Sequence, residues 1–188
     1  MTTEEINEHI DFAKEQMEHA LEHLLKELGK IRTGKAAGNM LDSVMVSYYG
    51  SPTPMSQVAN ISAADARTIV IQPWEKSMLG PIEKAIFEAN MGMTPQNDGI
   101  MIRLMIPPLT EERRKELARK AKSLCEDAKV SVRNARRDTN EFIKKAVKNG
   151  YPEDGGKGKE AVVQDLTNKY TERIEHAYSS KEKEILTV

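Results

Sequence analysis

Between Arg113 and Arg137 the chain sets ten Lys and Arg against three acids, in a protein whose formal net charge is −1. Four of these bases, Lys115, Lys122, Lys129 and Arg136, recur every seven residues, close to two turns of α-helix. On a helix they form one stripe. Arg133, Arg136 and Arg137 stand at i, i+3 and i+4, where planar guanidinium forks suit bidentate contact with phosphate. Cations ordered along a rod attract a polyanion. Aromatic side chains do not interleave with them, because Phe142 falls on the apolar side. The pattern therefore fits structured RNA met through its backbone better than single strands held by stacking. Residues 1–28 carry the opposite bias, with eight acids and two bases.

Other chemistry is weaker. His19-Ala20-Leu21-Glu22-His23 matches the H-x-x-E-H spacing of certain zinc hydrolases, which sets two imidazoles one turn apart. Both histidines project away from the Met17, Ala20 and Leu24 stripe, and the pattern supplies no third ligand, so surface histidines are the expectation. Gly34 and Gly38 lack the Lys-Ser/Thr that a phosphate-binding loop requires. The chain has no G-x-S-x-G, and Cys125, its single cysteine, reads as packing rather than as a nucleophile. No enzymatic activity, no cofactor and no metal are expected.

The elements that must position the bases follow from periodicity. Ile6, Ile10, Ala13, Met17, Ala20, Leu24, Leu28 and Ile31 repeat at three and four, as do Leu117, Ala121, Leu124, Ala128, Val132, Ala135, Thr139, Phe142 and Ala146. Val163, Leu166, Tyr170, Ile174, Ala177 and Ile185 continue the pattern to the end of the chain, after a glycine-rich connector from Gly150 to Gly158. Thr2 or Thr3 can cap the first helix. At 100° per residue the apolar centre of the second helix lies roughly 140° from its bases, so the cations face away from the core. Narrow stripes like these bury themselves only against each other, in a long three-helix bundle.

Between the first two helices the composition changes. Ser43 to Tyr49, Thr68 to Ile71 and Ile100 to Ile106 read as strands, and Ser77 to Asn90 as a short helix. The expected fold is α+β, a long three-helix bundle (residues 1–32 plus 107–188) with an inserted small β/α/β domain (33–106). Gly34 and Pro107-Pro108 punctuate the two crossings, which predicts a hinge at Thr33, Gly34, Ile106, Pro107 and Pro108 and an elbow-shaped molecule. Charged residues make up 30% and aromatics 5%, which suits solvated helices. The acidic start MTTEEINEHI is neither a signal nor a transit peptide, and apolar runs stay below membrane-spanning length. A soluble cytoplasmic protein without a disulfide, and a monomer, is the expectation.

Several stretches, in order, resemble the bacterial ribosome recycling factors. These are Lys30-Ile31-Arg32-Thr33-Gly34-Lys35-Ala36, Tyr48-Tyr49-Gly50-Ser51-Pro52-Thr53-Pro54 and Ile82-Glu83-Lys84-Ala85-Ile86. Asn97-Asp98-Gly99, Pro107-Pro108-Leu109-Thr110-Glu111-Glu112-Arg113-Arg114 and Val132-Arg133-Asn134-Ala135-Arg136-Arg137-Asp138 complete the set. The resemblance implies binding between the ribosomal subunits after termination, and subunit separation with the GTPase elongation factor G. It implies large-subunit RNA contacts at Arg114, Arg133 and Arg136, with Arg32 near the hinge. The basic stripe adds Lys122, Lys129 and Arg137 to that RNA-binding set. Lys35 departs from the arginine common in the family, keeping charge without the fork. The rival from another class is a structural coiled-coil adaptor whose bases only solubilise a long helix.

Overall fold

The computed structural model describes residues 2–187. In chain order its elements are α1 (Thr3–Gly29), β1 (Met45–Tyr48), β2 (Ser51–Pro54), the single turn α2 (Met55–Val58), β3 (Ala59–Asp65) and β4 (Thr68–Pro73). They continue with α3 (Leu79–Glu88), β5 (Pro95–Asn97), β6 (Ile102–Met105), α4 (Glu111–Lys148) and α5 (Glu153–Leu186). The chain divides into two units, Met1–Ile31 with Glu111–Val188, and Arg32–Thr110.

α1, α4 and α5 form the first unit. α1 starts with a capping box: Thr2 Oγ1 accepts from the Glu5 N–H at 3.3 Å, and Glu5 accepts from the Thr2 N–H at 2.7 Å. Its buried residues are Ile6, Ile10, Ala13, Met17, Leu21, Leu24 and Leu28. α4 buries Leu117, Ala121, Cys125, Ala128, Val132, Ala135, Thr139, Ile143 and Ala146, one stripe along 38 residues or about 57 Å. Leu21, Cys125 and Ile143 take the deep positions where Ala20, Leu124 and Phe142 were expected, and those three are half-buried. A stripe one residue wider serves two neighbours, so positions beside the predicted line are drawn inward. Buried Thr139 and Thr167 are satisfied within their own helices, donating to the Ala135 and Val163 carbonyls at 2.9 and 2.8 Å.

The glycine-rich connector is shorter than the sequence predicts. α4 ends in a Schellman motif: Gly150 takes φ +97°, its N–H donates to Val147 O at 3.1 Å, and the Tyr151 N–H reaches Ala146 O at 3.0 Å. α5 then starts at Glu153, so Gly155, Gly156 and Gly158 are helical. Packing explains the middle one. A Cβ on Gly156 would lie 2.6 Å from Val147 Cγ2, so only glycine lets α5 leave the turn this close to α4. Farther along, Glu18 of α1 accepts from the Tyr170 hydroxyl at 2.5 Å and from Arg173 at 3.1 Å, tying α1 to α5.

The second unit contains the expected strands and helix and adds further strands to them. Its four-stranded antiparallel sheet has the order β3-β4-β6-β5, beside a β1-β2 hairpin. β3 (ANISAAD) holds one large aliphatic and β2 two prolines; both escape a search for alternating apolar residues and serve as edges. Ile69, Ile71, Ile102 and Leu104 point from the sheet onto Ile82 and Ile86 of α3, and all six are buried. The unit thus has a core of its own. At its margin Glu75 accepts from both Tyr48 and Tyr49 hydroxyls at 3.0 Å, while Tyr49 and Trp74 stay exposed.

Two glycines test the helix crossing. Gly156→Ala forces a methyl against the stiff Val147 side chain and should lower stability by about 1–3 kcal/mol. Gly158→Ala, with open space around its Cβ, should raise it by about 0.5–1 kcal/mol. Denaturant titration distinguishes them. The same measurement against pH checks Glu18, whose pKa is lowered by the Tyr170 hydroxyl and then by Arg173. A depressed folded pKa adds stability that is present above the unfolded pKa and lost as pH falls through the folded one. The Glu18→Gln variant should show a shallower acid decline. The difference should stay under about 1 kcal/mol, because the carboxylate is more than a third exposed.

Candidate nucleic-acid interface

α4 holds its bases in place because its opposite side is committed to α1 and α5. Arg133 sits between Val132, which is fully buried, and the exposed Asn134, and its own side chain is exposed. Taken at 100° per residue, Lys115, Arg119, Lys122, Lys129, Arg137 and Lys144 fall within about 40° of Arg133 on the helix circumference. Together they make one outward ridge. Arg119 and Lys144 were absent from the expected set. Lys144 escapes because it lies outside the dense run, and its signal is the eleven-residue, three-turn spacing from Arg133.

Local pairing separates these cations. Lys115 meets Glu111 at 2.9 Å and Arg113 meets Glu116 at 2.9 Å, so the first turns of α4 are neutralised along their own helix. Arg137 Nε lies 3.6 Å from Asp138. Lys129 is flanked by two carboxylates, Glu126 at 3.5 Å and Glu175 of α5 at 3.4 Å, and keeps 23% exposure. Arg136 donates to Gln164 Oε1 of α5 at 3.4 Å. Among the described residues, no partner is recorded for exposed Lys122, exposed Arg133 or half-buried Arg114. The expectation that Lys115, Lys122, Lys129 and Arg136 point outward as one stripe therefore needs correcting. Lys129 and Arg136 lean onto α5, since seven residues fall short of two full turns and the line drifts toward a neighbour.

Arg32 is exposed and belongs to the second unit, with the predicted hinge residues. There Gly34 has φ +77°, and its Cβ position lies 3.3 Å from Leu109 Cγ, so positive φ and close approach both call for glycine. Ile106 is buried in that unit's core, its N–H bonded to Arg67 O at 2.7 Å, while Pro107 and Pro108 are exposed.

His19 and His23 are exposed on α1, and no group of three or more His, Cys, Asp or Glu that could hold a metal occurs among the described residues. Cys125 is buried between helices, where desolvation pushes its thiol up to about 11. His9 stacks on Phe142 with 3.5 Å between ring centroids, a contact across α1 and α4 that sequence spacing does not announce.

A family model described as ribosome recycling factor matches residues 24–186. A ribosome-recycling factor from Porphyromonas gingivalis is 51% identical over 185 residues, covering 98% of this chain and 100% of the relative. A solved solution structure of the ribosome recycling factor aligns over the whole of both chains with a TM-score of 0.74 and 38% identity. So does a Thermus thermophilus ribosome recycling factor, described with Escherichia coli elongation factor G bound to the post-termination complex, at a TM-score of 0.61 and 37% identity. None of these matches is to a coiled-coil adaptor or a zinc hydrolase.

The thiol supplies a check on the packing of this face. At pH 8 a buried group with so high a pKa holds almost no thiolate. Iodoacetamide should leave Cys125 unmodified in the folded protein and label it fully in denaturant, as read by mass spectrometry; rapid labelling of the native protein would contradict the burial.

Proposed function

The chain belongs to the ribosome recycling factor family, and on that premise we propose that the outer ridge of α4 is its docking edge for large-subunit ribosomal RNA. The protein binds the post-termination ribosome and acts with elongation factor G and GTP to separate the subunits, freeing them for a new round of translation. The observation that carries the docking edge is Arg133, exposed and without a partner among the described residues, with Arg136 one turn on and facing no carboxylate among them. The two reach the same phosphate backbone without first breaking an ion pair. Arg114 and Lys122 extend the contact toward the start of α4.

Electrostatics also sets the orientation. α1 and α4 carry opposite biases, so a polyanion is drawn to the α4 side of the unit and repelled from the α1 side. Bases on a rigid helix backed by a packed core meet phosphate without an ordering cost in the backbone. The second unit differs, with six bases against six acids in residues 32–110. Such a neutral unit adds little to RNA affinity and is free to be displaced by a protein partner. Movement at Thr33–Gly34 and Ile106–Pro108 lets the translocase shift it while α4 stays anchored. GTP hydrolysis belongs to that partner; this chain catalyses nothing and works as a wedge in the cytoplasm.

Two measurements test the reading. Arg133→Ala with Arg136→Ala should weaken ribosome binding about a hundredfold, or roughly tenfold per charge-assisted contact, with thermal stability unchanged. The slope of log affinity against log salt should shrink by about 1.5, the loss of two phosphate contacts. Splitting of post-termination ribosomes by the protein with elongation factor G and GTP, followed by light scattering, should fail in the variant. Full splitting and an unchanged salt slope would overturn the docking edge.

A further inference from the structure

Lys129 and Arg136 are seven residues apart on α4, and both lean onto α5, yet α5 answers them differently. Glu175 and Gln164 are eleven residues apart, three turns, so they share one face of α5. That face offers a carboxylate to Lys129 at 3.4 Å and a neutral amide to Arg136 at 3.4 Å. Lys129 has a second carboxylate, Glu126, at 3.5 Å. Arg136 has none within ion-pair reach among the described residues.

The amide is itself held. Gln164 Nε2 donates to Asn168 Oδ1, one turn along α5, at 2.8 Å, which leaves Oε1 as the atom facing α4. Reversing the amide would set donor against donor at Arg136 and break the Asn168 bond. The relay Asn168–Gln164–Arg136 thus engages one of five guanidinium N–H groups and biases the plane of the rest. We propose that Gln164 is a positioning residue that aims the Arg136 fork at RNA while leaving its charge whole, and that Glu175 withdraws Lys129 from the same contact.

The chemistry of the two partners separates the roles. A phosphate approaching Lys129 must compete with two carboxylates for one ammonium. One approaching Arg136 meets an undiminished positive charge, and the 3.4 Å amide contact is weak enough to stretch as the fork closes on it. A glutamate at 164 would instead be a fixed anion beside the arginine.

This inference rests on the reading of α4 as the docking edge, so the experiment includes the arginine itself. Ribosome affinity is measured across a salt series, with melting temperature, for wild type, R136A, Q164E, Q164M and K129M. R136A should bind about tenfold more weakly, with a salt slope smaller by about 0.7–0.9. Q164E should lose about three- to tenfold with a reduced slope while melting no lower than wild type, because it gains an ion pair. A merely structural glutamine would not show affinity falling as stability holds in the charge-neutral Q164M as well as in Q164E. Q164M should lose about twofold at an unchanged slope, since charge is kept and only aim is lost. K129M should bind within about twofold of wild type. Wild-type binding by Q164E alongside an impaired R136A would overturn the positioning role. K129M as impaired as R136A would overturn the withdrawal of Lys129. An unimpaired R136A would sink the docking edge, and this inference with it.

Discussion

The larger unit depends on α4 staying in register with two neighbours for about ten turns while burying one stripe of side chains. Helices this long pack closely only if the facing residues are small or evenly spaced. Ala121, Ala128 and Ala135 recur every seven residues on the buried side, and Gly156 of α5 completes the close approach where the chain turns back. Because burial uses one side of α4 only, the other side is free to carry charge without a desolvation cost. The basic ridge is a consequence of that geometry as much as of composition.

Charge is then distributed by whole elements. α1 is acidic, α4 basic along its middle, and the second unit neutral. Contacts within and between helices engage part of it: Glu18 of α1 is held by Tyr170 and Arg173 of α5, and Lys129 by Glu126 of its own helix and Glu175 of α5. Surface pairs of this kind add little stability. Their larger effect is to decide which cations remain available. Among the described residues Arg133 has no such partner and Arg136 holds only the neutral Gln164 amide, both in the middle of a rigid rod.

The second unit achieves independence by different means. Its sheet and α3 enclose Ile69, Ile71, Ile82, Ile86, Ile102 and Leu104, and the β5 edge is only three residues long and carries a proline, which limits pairing with foreign strands on that side. A folded unit joined by two strands of chain can be displaced without losing its own core. Gly34, at positive φ and tight against Leu109, is fitted to its turn by both conformation and space. Tyr49 also adopts positive φ, at 49°, with its hydroxyl held by Glu75.

The three amphipathic helices, the acidic and basic segregation, the Thr2 cap and the strands β1, β4 and β6 were legible in the sequence. Each is written in contacts between residues one to four apart, where spacing alone fixes which side chains share a face. β3 and β5 were not legible, because they are strands by virtue of the partners beside them rather than of their own pattern. Helical Gly155, Gly156 and Gly158 were hidden for a similar reason: glycine reads as a break until a neighbour such as Val147 explains it. The basic run itself was evident from composition. Its division into paired Lys129, amide-held Arg136 and an Arg133 without a partner among the described residues was not. That division depends on where α5 lies against α4, and the register between two helices is set by the packing of both at once.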